Sequence, residues 1–391
     1  MSFITKSFIV AILASLSAVL EGATPNPPLS GLPDNTVFEI GPYTCTPPQG
    51  EPLQECRKIS DFSGLVYDAK RHRMLMFGGG HATTFTDTIA VFDPATLTWT
   101  QLYAPTPCSY LVQSNYDSNR AAWLNGPLGP YPRPISRHTY DELVVVGDEL
   151  IMLASGSGRG SCAFNKTDGD PLTDGGRIAH YDLINNRWSF SSTAQGDTEP
   201  VSFPGTDYDP VSERIIMVGR YGIWIYDPAS RTKSLAVDAG LDEMGIEGSL
   251  VYYPPNQKLY FFADKYTGIV KVWEITLDRK NFENSTMIKL TTSGKPSSNR
   301  RGYAYDSVNQ IIGGGIADNK FYAFDPLKRM WSSQTMEGGA PGNASHHAVS
   351  YDPVNNVFLF INEFSSFDRR TWAYKYKNDS ASLHNTSVSE N

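Results

Sequence analysis

One pattern recurs along the chain in copies mostly about 45–50 residues long, and that repeat limits its fold more than any other feature. Each copy runs from a short apolar strand to a Tyr-Asp type turn, then a second apolar strand and a small or polar loop. An aromatic strand, an Asp-Pro type turn and often a closing strand opened by Trp follow. The first copy is SGLVYDAKRHRMLMFGGGHATTFTDTIAVFDPATLTWTQL, residues 63–102. Later copies begin at Arg137, Gly205, Gly248, Arg301 and His346. A unit of this size gives three or four short strands bounded by turn residues. It cannot bury both of its faces alone, so the copies must stack around an axis. The expected fold is all-β, a β-propeller of six blades, with a seventh, degenerate blade left open. The sixth copy lacks a closing strand, and Val37–Ile40 is available to supply it and close the ring. Closure leaves fewer open strand edges.

The remaining segments fall outside the period. Lys6 followed by the apolar run from Ser7 to Leu20 reads as a signal peptide ending near residue 23. Residues 24–62 form a Pro-rich extension that holds the closing strand, 63–378 the propeller and 379–391 a polar tail expected to be disordered. Residues 104–134 and 158–176 are insertions without the strand pattern. Four cysteines in a chain with a secretory leader suggest two disulfides, Cys45–Cys56 and Cys108–Cys162 being favoured and the other pairings open. Sequons at Asn165, Asn284, Asn343, Asn378 and Asn385 fit an extracellular glycoprotein. A net charge of −8 and the absence of Lys/Arg-rich runs argue against nucleic acid. After leader cleavage no stretch remains that would hold the chain in a membrane, and nothing signals an oligomer, so a monomer is expected.

Strand phase divides the polar residues between two ends of the ring. Tyr67-Asp68, Tyr208-Asp209 and Tyr351-Asp352 in the first turns, and Phe92-Asp93, Tyr226-Asp227 and Phe324-Asp325 in the later turns, share one end. There the aspartates are expected to cap turns through side-chain to backbone hydrogen bonds. The opposite end collects His81, Arg137, His138, Tyr140, Arg159, Arg220, Tyr221, Glu247, Lys265, Arg301 and His346. A basic, His-rich mouth on an acidic protein focuses its field on an anionic ligand. His138 and Tyr140 share one side of a strand by period two. His346 and His347 point opposite ways, so at most one faces the axis. His180 reads as structural, and Phe85, Tyr110, Trp123 and Tyr131 are available to stack on sugars.

The repeat grammar resembles the kelch/galactose-oxidase type of β-propeller over roughly residues 36–378. Gly-Gly-Gly-His at 78–81 and Ser-Arg-His-Thr-Tyr at 136–140 are similar to secreted propeller polysaccharide lyases of the ulvan and rhamnose–glucuronate type. That resemblance implies histidine acid-base roles for His81 and His138, a tyrosine role for Tyr140 or Tyr221, and carboxylate neutralisation by Arg220. Arg137, Arg159, Lys265, Arg301 and His346 would contact an acidic polysaccharide. The expected activity is β-elimination on a uronate-containing glycan. The alternatives are a non-catalytic glycan- or protein-binding propeller and a glycoside hydrolase using carboxylates such as Glu247, Asp318 or Glu363. No cofactor is required. A structural Ca²⁺, or Zn²⁺ on His81 and His138, is left open.

Overall fold

A computed structural model describes residues 23–46, 49, 62–78, 86–120, 122–124, 131–153, 178–191, 204–219, 222–239, 247–263, 269–294, 296, 301–363 and 369–377. A four-residue helix, Pro27–Ser30, precedes strand β1 (Thr36–Pro42). The first sheet holds β2 (Leu65–Asp68), β3 (Arg73–Phe77), β4 (Ile89–Asp93) and β5 (Thr98–Gln101). A small three-stranded sheet follows, of β6 (Tyr116–Asp117), β7 (Ala122–Trp123) and β8 (Arg133–Pro134). The second sheet is β9 (Leu143–Val146), β10 (Glu149–Met152), β11 (Ala179–Asp182) and β12 (Arg187–Phe190). The third is β13 (Gly205–Asp209), β14 (Arg214–Gly219), β15 (Gly222–Asp227) and β16 (Thr232–Asp238). The fourth is β17 (Ser249–Tyr253), β18 (Lys258–Ala263), β19 (Lys271–Thr276) and β20 (Thr286–Lys289). The fifth is β21 (Tyr303–Asp306), β22 (Ile311–Ala317), β23 (Lys320–Asp325) and β24 (Met330–Thr335). The sixth holds β25 (Asn343–Asp352), β26 (Val357–Glu363) and β27 (Arg370–Lys375), with β1 as its fourth strand.

Every strand pairing is antiparallel, and consecutive strands pair in each of the first five four-stranded sheets. In the sixth, β1 lies against β27 with Thr36 opposite Lys375 and Val37 opposite Tyr374. The first strands form a cycle of neighbours. β2 lies beside β9, β9 beside β13, β13 beside β17, β17 beside β21, β21 beside β25, and β25 beside β2. This is an all-β, propeller-type arrangement.

The apolar core lies between successive sheets. Phe77 and Val91 of the first sheet meet Leu150 and Tyr181 of the second. Ile151 of the second meets Met217 and Tyr226 of the third. Phe261 and Trp273 of the fourth pack on Ile216 and Ile223 of the third, and Phe262 of the fourth on Tyr303 and Phe324 of the fifth. Phe321 packs on Phe358 and Tyr374, and Leu359 and Ala373 of the sixth sheet reach Met74 and Phe92 of the first. Each fully buried aromatic such as Phe321 contributes about 1.5–3 kcal/mol by leaving water. Alternation explains the pattern, because each sheet presents apolar residues to neighbours on both of its faces.

The turn aspartates behave as the spacing implies. Asp93 accepts the N–H of Ala95 at 2.8 Å, Asp227 that of Ala229 at 2.9 Å, and Asp306 those of Val308 and Asn309 at 2.9 Å. Their carboxylates are spent on local geometry.

Three expectations need correction. The insertion at 104–134 does contain strands, β6 to β8, around a small core of Leu111, Trp123 and Ile135. Trp123 is only 2% exposed, so it fills that core and is not available to stack on a sugar. The fourth copy, which showed three strands in sequence, gains its fourth from Thr286–Lys289 after a long connection. Residues 158–176 and the tail lie outside the described residues. Cys45 and Cys108 are disulfide-bonded, while Cys56 and Cys162 lie outside the described residues.

Candidate active site

The mouth is built from one position that recurs in the repeat. Counted back six residues from the last residue of each sheet's first strand, it is occupied by Phe62, Tyr140, Glu247 and His346 in four of the six copies. All four have left-handed backbone, with φ of 60°, 37°, 64° and 36°. Such φ values are costly for residues with a Cβ, especially bulky ones, and they concentrate where surroundings hold a side chain for use. Each left-handed residue lies just before the first strand or, for His346, within it. The equivalent Phe203 and Arg300 lie outside the described residues.

These side chains touch. The Phe62 ring stacks on His138 with centroids 4.8 Å apart and lies 4.1 Å from the His346 ring. His138 Nδ1 is 3.1 Å from Tyr140 Oη. Tyr140 also hydrogen-bonds Glu247, and Glu247 pairs with the Arg301 guanidinium. Arg301 Nη1 lies 3.5 Å from His346 Nδ1. One connected cluster therefore joins residues of the first, second, fourth, fifth and sixth copies.

Backbone bonds fix the segment that carries His138 and Tyr140. Thr139 and Tyr140 both donate their N–H to Phe62 O, at 3.0 and 2.9 Å. Thr139 Oγ1 donates to Phe77 O at 2.9 Å and accepts from Gly64 N at 3.2 Å. Gly78, the first residue of the glycine run, has φ +70°, and a Cβ there would collide with the Arg137 carbonyl oxygen. The glycine is thus required for the first copy to approach the 136–140 segment. Gly78→Ala is expected to cost roughly 1–3 kcal/mol in urea unfolding, from strain and overpacking together. An unchanged midpoint would separate the glycine from the positioning of His138.

The electrostatics assign protons. Burial first, then the charges of Glu247 and Glu142, push the Tyr140 phenol far above its ordinary range, so it stays protonated and acts as a donor. A tyrosinate base at this position would have to form against that burial and those charges. With the Tyr140 hydroxyl donated to the Glu247 carboxylate, His138 donates Nδ1–H to Tyr140 Oη and keeps a lone pair on Nε2.

Beneath the mouth, His347 and Asp141 meet across the axis, with His347 Nδ1 3.8 Å from Asp141 Oδ1 and 3.2 Å from Ser249 Oγ. Asp141 Oδ2 accepts the backbone N–H of Leu250 at 2.8 Å and of Thr206 at 3.1 Å. Burial, with Arg301 adding to it, lowers His347 to about 3, so it is neutral. Both partners share one ring nitrogen, so Ser249, His347 and Asp141 do not form a nucleophilic triad, which needs a different nitrogen for each.

Sequence reasoning placed His138, Tyr140, Arg301 and His346 at this mouth, and the structure brings them together. His138 precedes β9 instead of opening a strand, and it meets Tyr140 through the latter's left-handed turn, not through strand alternation. Arg137 is 2% exposed and lies in the electrostatic range of Tyr116 and Glu142, where burial lowers its guanidinium to about 10. His81, Arg159, Arg220, Tyr221 and Lys265 lie outside the described residues. His180 is structural, buried between Glu149 Oε2 at 2.9 Å and Tyr226 Oη at 2.5 Å. Phe62, Asp141 and Asp207 were missed. The signal available for Phe62 was its place in the repeat, six residues before Asp68 as His346 is before Asp352. Among the described residues no three His, Cys, Asp or Glu side chains converge to hold a metal.

No family model and no curated protein matches the chain. Solved structures similar to it include a fungal alcohol oxidase of the AA5 family in complex with copper, at 15% identity and TM-score 0.47, over 80% of this chain and 62% of that one. A putative gluconolactonase matches at 10% identity and TM-score 0.45, over 87% and 91% of the two chains. A chain of a mitotic checkpoint complex matches at 10% identity and TM-score 0.41, over 80% and 74%. These neighbours are β-propeller-like proteins. The chain spans less than two thirds of the oxidase's length, and no activity is transferred from any of the three.

Proposed function

We propose that this chain is a six-bladed propeller, closed by β1, that cleaves a uronate-containing polysaccharide by β-elimination outside the cell. The observation that carries the reading is the His138–Tyr140 pair at 3.1 Å, anchored by Glu247 and Arg301 at the axial mouth. His138 Nε2 takes the proton beside the uronate carboxylate. The electron pair left behind forms the new carbon–carbon double bond as the glycosidic carbon–oxygen bond breaks. Tyr140 supplies the proton to the departing oxygen. Arg301, with His346 beside it, offers positive charge for the carboxylate, whose developing enolate character is the costly part of the reaction. Arg301 is already paired with Glu247, so the substrate carboxylate must share or displace that partner.

A hydrolase is less well supported. It needs two suitably spaced carboxylates, and Asp318 is exposed, with only its backbone N–H donated to Asn343 Oδ1 at 2.9 Å. Secretion as a monomeric glycoprotein belongs to the same proposal, and Asn284, exposed at the outer edge of the fourth sheet, is the more accessible described sequon.

Incubation with ulvan, glucuronan, gum arabic and pectin is expected to give a rise in ultraviolet absorbance from an unsaturated uronate on at least one of them. No rise on any, with retained glycan binding, would replace the lyase by a binding propeller.

A further inference from the structure

Below the mouth, the six first strands enclose a cavity of about 560 Å³. Leu65, Leu143, Leu250 and Val349 form apolar wall, and Tyr67, Tyr208, Tyr305 and Tyr351 line its turn end. Two carboxyl groups, Asp141 and Asp207, and the imidazole of His347 also line it. No Lys or Arg is among the described lining residues.

Asp141 and Asp207 therefore place carboxyl groups at a space without a cation among its described lining residues, beside the hydroxyls of Tyr140, Thr206, Ser307 and Ser350. Asp207 Oδ1 takes the N–H of Tyr208 at 2.7 Å and Oδ2 that of Tyr252 at 2.6 Å. Those amides orient the carboxyl but carry no formal charge to balance it. The His347 side chain is fully buried, and its Nε2 makes no hydrogen bond to any described residue. A buried polar atom without a partner calls for an explanation, and here it belongs to a residue that lines the cavity.

We propose that this axial cavity binds a small organic ammonium ion, with its N–H donors on Asp141 and Asp207 and its carbon body against the Leu and Val wall. The tyrosine faces add attraction for a cation, and a charge-assisted bond to each carboxylate is about twice as strong as a neutral one. A bare metal ion fits less well, because it would leave the apolar wall empty and finds no cluster of three ligating side chains among the described residues. The cavity reaches the mouth at Tyr140, which is among its lining residues, while Asp141 and Asp207 take no part in the reaction proposed there.

The test is titration calorimetry and thermal unfolding of the full chain with n-butylammonium, with 1-butanol as the uncharged isostere and CaCl₂ or ZnCl₂ as the metal arm. Butylammonium is expected to bind near about pH 8 and to raise the melting temperature, while butanol does neither. Asp141→Asn and Asp207→Asn are each expected to weaken it at least about tenfold. In wild type, affinity should fall on going to about pH 5 as the carboxyls take up protons. The titratable groups around them are Asp209, Tyr208, Tyr252 and His347, with Arg279 held on Asp209. Should the variants not fold, the ammonium–butanol contrast and its pH dependence decide alone. Equal effects of butanol, protection by the metals instead, or no binding of butylammonium would each overturn the proposal.

Discussion

Tyr140→Phe is expected to lower turnover on the uronate substrate by about 10²–10⁴-fold while leaving the fold in place. The ring stays, so its edge contacts with Phe62 at 5.6 Å and with His347 at 6.0 Å persist. What disappears is the hydroxyl proposed to protonate the leaving oxygen and to accept from His138. His138→Ala should be at least as damaging to turnover, since it removes the proposed base. It also removes one of the two histidine rings packed on Phe62. Comparing the two by kcat and by melting temperature separates chemistry from packing. Full activity of Tyr140→Phe would move the acid to another group, and a large loss of stability in that variant would make the hydroxyl structural.

The second large effect concerns pH. Burial raises Asp207 to about 7, against the two amide bonds that pull it down, and Asp141 and Asp209 push it the same way. The folded state therefore holds this proton more tightly than the unfolded chain, whose ordinary carboxyl titrates near 4. Ionising Asp207 in the fold costs free energy, so stability is highest below about 4, falls as pH rises through the window to about 7, and is flat above it. The loss is roughly 2–4 kcal/mol. Asp141, also raised by burial, adds with the same sign. Carboxylates that are held low, such as Glu149 beside His180 and Glu274, with Lys258 and Tyr260 overcoming its burial, contribute in the opposite direction, but only as pH falls toward their own depressed values. Between about pH 5 and 8 the channel acids should dominate. Urea unfolding of wild type should accordingly show a higher midpoint at about pH 5 than at about pH 8, and Asp207→Asn should flatten the difference. A wild-type curve that rises toward pH 8 would mean that these carboxyls meet water or a cation.

The fold was legible because a repeat multiplies weak local signals. No single run such as Leu65–Asp68 identifies a propeller. Six runs with the same turn chemistry do, and they even foretold that residues near Val37 would complete the last sheet. The fourth strand of the fourth sheet was hidden because Thr286–Lys289 is mostly exposed and follows a long connection, so neither periodicity nor spacing marks it. The mouth was legible in its residue types and not in its contacts. Strand alternation wrongly governed the expectation for His138 and Tyr140, since a left-handed residue at Tyr140 breaks the alternation before β9 begins. Asp141 and Asp207 were overlooked because their neighbours in sequence are turn and strand residues. What distinguishes them is the cavity that forms only when β9, β13, β17 and β25 converge.

The pairing of β1 with β27 has a consequence for how the molecule comes into being. Thr36 and Lys375 are partners although almost the whole chain separates them. A ribosome delivers β1 first and β27 last, so β1 must wait unpaired while five sheets form behind it. The contact is among the longest-range that this chain makes, and its loop-closure entropy is met only when synthesis is nearly done. Until then the sixth sheet keeps an open edge able to recruit another chain. Completion of the sixth sheet is thus a late checkpoint, and a polypeptide interrupted before Lys375 carries an adhesive strand in place of a seam.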